Sequence, residues 1–200
     1  MPRTSTLHGS APDENETAVV ILDLISDFEF ENGSKLARAA QRIAGNVARL
    51  SARAREAGVP IIYLNDNRGR WRSDRSELIA RCSRPGSLGR ALVQRLAPAD
   101  EDYFIFKPKH SGFFATPLAA LLEHLGTRTL VLTGVTTEQC VLFTAIDAYV
   151  RDYEIVVPRD CVAGLKHSNV TLKFIGDILK AKTGASSRLH LPKRSSVGNR

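Results

Sequence analysis

The sequence predicts an α/β fold: a mostly parallel open sheet held in three layers, with helices on both faces. Three observations predict it. Strand-like apolar runs alternate with helix-like segments almost throughout the chain, and parallel neighbours need crossover connections, which here read as helical. The first run, TAVVILDLI (17–25), is apolar nearly end to end, as suits a strand buried on both faces. The segment behind it repeats apolar residues every three or four positions, the period of a helix packed on one side.

The elements follow in order. After the central strand at 17–25, SKLARAAQRIAGNVARLSARAREAGVP places Leu36, Ala40, Ile43, Val47 and Leu50 on one helix face. Gly58 and Pro60 close that helix, because glycine accepts the left-handed cap and proline cannot continue the turn. PIIYLND (60–66) and EDYFIFK (101–107) read as strands, PLAALLEHLG (117–126) as helix and RTLVLTG (128–134) as strand. EQCVLFTAIDAYVRD reads as helix, YEIVVP (153–158) as strand and HSNVTLKFIGDILKA (167–181) as the last helix.

Two hundred residues with 43% hydrophobic content suit one domain with a core of its own. That domain is expected at 17–181, after a disordered polar segment at 1–16 and before a basic, flexible tail at 182–200. Cys82, Cys140 and Cys161 form no close-spaced ligand pattern, and an odd count suggests reduced thiols and a cytoplasmic protein. No signal peptide or spanning run is visible, so no membrane partner is expected. The net charge of +7 is concentrated partly in the tail and partly in NRGRWRSDR. No nucleic-acid module accompanies either, so no specific nucleic-acid partner is expected.

In open parallel sheets ligands bind beyond the carboxyl ends of the strands. Asp23 stands at the end of the first strand, Lys107 at the end of YFIFK, and Cys140 just after RTLVLTG. Singly, each has an ordinary explanation: a turn former, a solvated lysine, a packed thiol. Together they deliver a base, a cation and a nucleophile to one sheet edge. The helix start and the ammonium are expected to lower the thiol's pKa, while the aspartate takes its proton and returns it to a leaving amine. The turn GVTTEQ exposes the thiol and offers backbone N–H groups to an oxyanion.

On three blocks, the sequence resembles the isochorismatase-like cysteine hydrolases, a superfamily that includes nicotinamidases, N-carbamoylsarcosine amidase and ureidoacrylate amidohydrolases. VVILDLISDF carries Asp23 and the pair Asp27-Phe28; FKPKHSGFFATPL carries Lys107, Ser111, Phe113, Phe114 and Thr116; LVLTGVTTEQCVLFTAIDA carries Cys140. The resemblance covers residues 17 to 180 and implies a Rossmann-like sheet. It also implies C–N bond hydrolysis through an acyl-Cys140 intermediate, with Asp23 as base and acid and Lys107 as the orienting cation. A cis peptide would fall between Val135 and Thr136, and the amides of Thr136 and Cys140 would hold the oxyanion. The family's oligomers imply a homodimer or homotetramer.

The departures bear on substrate. Ile25 stands where the family often has glutamine, and the zinc-binding histidine pattern of metal-dependent nicotinamidases is missing after Asp66. No metal or other cofactor is therefore expected. Ile25, Phe28, Arg68, Trp71 and Phe113 are the expected substrate contacts, with the guanidinium of Arg68 and its neighbours suited to an anionic amide or ureido compound. Those arginines could instead form a solvated loop or a subunit contact. Two other functions fit the same residues: a catalytically idle binding protein of this fold, and a redox-responsive thiol protein.

Overall fold

The computed structural model describes residues 14–72 and 74–193. Among them, six strands form one sheet: β1 (Thr17–Leu22), β2 (Ile61–Asp66), β3 (Tyr103–Lys107), β4 (Thr129–Val135), β5 (Glu154–Val156) and β6 (Val162–Ala163). Their order is β3-β2-β1-β4-β5, with β6 also on β4, and every pairing is parallel. The helices are α1 (Gly33–Ala57), α2 (Arg75–Ser83), α3 (Arg90–Leu96), α4 (Leu118–His124), α5 (Leu142–Tyr149) and α6 (Ser168–Asp177).

β1 is buried on both faces, and its side chains divide by parity. Val19 and Ile21 join the core under α1 to α3, with Val47, Leu50, Leu78 and Leu92. Ala18, Val20 and Leu22 join the opposite core under α4 to α6, with Leu118, Ala145 and Ile175. Alternation of side chains across a strand produces this split, and the helical crossovers supply the two covers. α2 and α3 lie in a stretch to which the sequence reading assigned no element.

The register fixes which residues emerge together. Leu22 pairs with Leu64 on one side and Gly134 on the other, and Asp66 pairs with Lys107. Gly134 has φ +111, and a Cβ there would stand 2.0 Å from the Leu22 carbonyl oxygen. A side chain at 134 would therefore push β4 off β1 just before the turn that follows.

The chain ends differ from expectation. Asn15 and Glu16 are anchored: the Asn15 amide donates to Leu125 O (3.0 Å), and the Glu16 carbonyl accepts from Arg128 and Thr129 (2.8 Å each). The expected flexible tail is packed where described. Lys182 bridges to Val156, Asp160 accepts from the amide and hydroxyl of Ser186 (2.8 Å each), and Leu191 is buried. Arg53 of α1 holds the Ser186 carbonyl at 2.9 Å and also donates to the Leu189 carbonyl, which ties this segment to α1. Residues 1–13 and 194–200, parts of the two expected disordered ends, lie outside the described residues. Among the described residues no helix is long and apolar enough to cross a membrane.

Candidate active site

Asp23 is the first residue past β1 and takes a left-handed turn (φ 55), a conformation that Asp tolerates better than most side chains. Its amide donates to Leu64 O (3.0 Å) and its Oδ1 accepts from the Asp66 amide (2.6 Å). The carboxylate is thus tied to the end of β2. Lys107 ends β3 with its side chain wholly buried. Its Nζ stands 2.9 Å from Asp23 Oδ2, 3.4 Å from Cys140 Sγ and 3.3 Å from Lys109 O.

Cys140 sits in a π-helical turn, Thr137–Val141, that leads from β4 into α5. The peptide bond between Val135 and Thr136 is cis. The Thr136 carbonyl accepts from the Gln139 and Val141 amides (3.2 Å each), which closes the turn around the sulfur. The three strand ends therefore bring Asp23, Lys107 and Cys140 together on one edge of the sheet.

The electrostatics correct one expectation. Burial pushes the Cys140 thiol up, the Asp23 carboxylate pushes it further, and Lys107 opposes without prevailing. Burial also works against the Lys107 ammonium, but Asp23 and Cys140 outweigh it and hold its pKa above the usual value. The reason is charge balance: carboxylate, ammonium and thiol sum to zero, whereas a thiolate would leave one net negative charge in a buried site. Burial and the neighbouring carboxylate therefore both disfavour a standing thiolate at this sulfur.

A cavity of about 500 Å³ opens over these groups, with Asp23 and Cys140 in its wall. Of the expected contacts, Ile25, Phe28 and Arg68 line it, as do Val135 and Thr136 of the turn. Trp71 does not. It is 78% exposed and lines a separate surface depression with Arg70 and Arg72, because the Asn67–Arg70 turn directs it away from the cavity. Phe113 does not line the cavity either. It is buried in the core under α4 to α6, against Tyr153 (5.9 Å) and beneath Arg151 (4.8 Å).

Arg68 reaches the cavity already engaged. It pairs with the buried Asp27, donates to Glu29 O (2.9 Å) and lies over Phe30 (5.0 Å). Arg81 also pairs with Asp27 (3.0 Å). Burial would raise the Asp27 pKa, but the Glu29 amide and the two arginines hold it below 3.8.

Two residues escaped the sequence reading. His110 lines the cavity with Nδ1 4.0 Å from Cys140 Sγ and its ring against Phe143. Glu138 Oε1 accepts from the amides of Leu165 (3.0 Å), Lys166 (3.1 Å) and His167 (2.9 Å). Burial would raise its pKa, yet these N–H groups hold it below 4.5. The clamp joins the Cys140 turn to the loop that brings Leu165 to the cavity wall. The acidic residue in GVTTEQ was a visible signal, but its partners lie 27 to 29 positions further along the chain.

The described residues contain no group of three or more His, Cys, Asp or Glu able to hold a metal ion.

Residues 17–176 match the isochorismatase domain family. An uncharacterized isochorismatase family protein, YaaI of Bacillus subtilis, is 41% identical over 148 residues, covering 74% of this chain and 81% of that protein. The ureidoacrylate amidohydrolase RutB of Methylorubrum extorquens is 30% identical, covering 74% and 70%. Among solved structures, N-carbamoylsarcosine amidase of Thermoplasma acidophilum superposes with a TM-score of 0.70 at 26% identity. That match covers 88% of this chain and all of the other.

Proposed function

Because this chain belongs to the isochorismatase domain family, we propose that it is a cysteine-dependent amidohydrolase cleaving a C–N bond of a small amide, ureido or carbamoyl compound. The single observation that carries the reading is the placement of Lys107 Nζ within 2.9 Å of Asp23 and 3.4 Å of the Cys140 sulfur. The named relatives supply the class: ureidoacrylate amidohydrolase and N-carbamoylsarcosine amidase both act on such bonds.

In this mechanism Asp23 takes the thiol proton as the sulfur attacks the carbonyl carbon, so no free thiolate need accumulate. The carbonyl oxygen, now negative, is held by the amides of Thr136 and Cys140. Asp23 then gives the proton to the departing nitrogen, the C–N bond breaks and the amine leaves. An acyl thioester remains on Cys140. Water, losing a proton to Asp23, attacks that thioester; the acid leaves and the sulfur recovers its proton. Lys107 keeps Asp23 aimed at the sulfur and balances its charge throughout.

Turnover assays with ammonia detection, joined to mass spectrometry of the Cys140 peptide, test the reading. An added acyl mass on that peptide, absent in Cys140→Ser, supports it. Full turnover in Cys140→Ser refutes it. The homodimer or homotetramer is proposed to form through α5 and α6, where Phe143, Ile146, Val170 and Phe174 stay exposed, since large exposed apolar patches mark association surfaces.

A further inference from the structure

We infer that this cavity selects amides with a neutral or cationic apolar body and rejects those carrying a carboxylate. The inference rests on the amidohydrolase reading for its setting, but it concerns only the charge that the cavity admits.

Four carboxylates line the cavity: Asp23, Asp27, Glu31 and Asp66. Asp23 is balanced by Lys107, and Asp27 by Arg68 and Arg81. Glu31 and Asp66 have no salt-bridge partner among the described residues. Asp66 Oδ1 accepts from the Arg68 amide at 2.6 Å and its charge also acts on Lys107, while among the described residues Glu31 accepts from the Asn32 amide group at 3.5 Å. Among the described residues Arg68 is the only arginine in the wall, and its guanidinium is held by Asp27, Glu29 O and the face of Phe30. Binding a substrate carboxylate through Arg68 would strip a buried aspartate of its partner, which is costly. Lys107 is likewise committed to Asp23 and the sulfur.

Among the described residues the remaining basic group in the wall is His110, 4.0 Å from the sulfur. Against it stand Glu31 and Asp66, which carry no salt bridge among the described residues, and an apolar wall of Ile25, Phe28, Phe30, Leu36 and Leu78. Arg68, Arg81 and Lys107 offset all but one of the four carboxylates, so a ligand anion would meet an excess of negative charge, no uncommitted arginine or lysine, and little to replace its lost hydration. An uncharged hydrocarbon or aromatic body would meet matching surface.

The test uses two reagents with one reactive carbon, iodoacetamide (neutral) and iodoacetate (anionic). Alkylation rates at Cys140 are followed by mass spectrometry at about pH 8.5, where free imidazole is neutral, with 2-mercaptoethanol as the reference thiol. The expected ratio of iodoacetamide to iodoacetate rates at Cys140 exceeds the reference ratio by about tenfold or more. In Glu31→Gln/Asp66→Asn it falls toward the reference, and the new side-chain carbonyl at position 66 can still accept the Arg68 amide. A wild-type ratio no larger than the reference, or a variant ratio unchanged from wild type, overturns the inference, as does failure of both reagents to reach Cys140.

A second arm compares ammonia release from butyramide, succinamate and 4-aminobutyramide, which differ mainly in terminal charge. Succinamate turned over as well as butyramide also overturns the inference. A large alkylation ratio with no amide hydrolysed at all would leave the charge selection standing and count against the amidohydrolase reading instead.

Discussion

Lys107 Nζ lies 2.9 Å from Asp23 Oδ2, with the lysine side chain wholly buried and the aspartate 15% exposed. Burial works against the Lys107 ammonium, and Asp23 is the largest effect that offsets it. Lys107→Met should therefore destabilise the fold by about 3–5 kcal/mol by leaving a carboxylate unpaired, whereas Asp23→Asn/Lys107→Met should cost less than the two single changes added together. Urea unfolding of the four proteins measures this coupling.

Cys140→Ser should fold normally and lose turnover by about a thousandfold or more, because a hydroxyl is far harder to deprotonate than a thiol. Asp23→Asn should be comparably inactive. Groups that act as one unit do not add, so the double variant should be little worse than either. Steady-state ammonia release, with circular dichroism to check folding, decides it.

Asp23 and Lys107 act on the thiol with opposite signs. Since the Cys140 pKa is pushed up, its alkylation rate should keep rising with pH beyond the ordinary thiol value of 9.0. Asp23→Asn removes the opposing carboxylate and leaves Lys107 unbalanced, so the profile should move to lower pH. That variant should alkylate faster at neutral pH than wild type while losing hydrolysis. Cys82 and Cys161 should react later because both are wholly buried, whereas Cys140 lines the open cavity.

Glu138 has a folded pKa below its usual 4.5, so its contribution to stability is complete above that value and is lost as pH falls through the folded value. Removing the acceptor in Glu138→Ala should cost about 1–3 kcal/mol, as the N–H groups of Leu165, Lys166 and His167 lose their partner. Glu138→Gln should retain part of that stability and lose its acid dependence. Unfolding measured from about pH 6 to about pH 3 tests both. Gly164→Ala should also destabilise, because its Cβ would stand 1.8 Å from Glu138 Oε2.

The sheet and the convergence of Asp23, Lys107 and Cys140 on one edge were legible in the sequence because they depend on local pattern and chain order. A run such as TAVVILDLI can only be buried on both faces, and residues at the ends of parallel strands emerge on one side whatever the loops do. α2 and α3 were harder to read. Each is short, at nine and seven residues, and the Asp74 cap on the Glu77 amide sits within a basic stretch, where it gives a weak start signal.

The pocket wall was not legible, because side-chain direction and charge pairing depend on contacts distant in sequence. Trp71 and Phe113 have the right chemistry for a substrate wall, yet one turns outward and the other fills a core. NRGRWRSDR suggested guanidinium groups waiting for an anion, but Arg68 is consumed by Asp27, 41 positions earlier. The thiol followed the same rule. Chain order placed both Lys107 and Asp23 beside Cys140, whereas only the folded arrangement showed how deeply the sulfur is buried and which of the two charges prevails there. Sequence determined which chemical groups reach the sheet edge; tertiary structure decided which of their charges remain uncompensated there, because that balance is a sum over neighbours drawn from several elements at once.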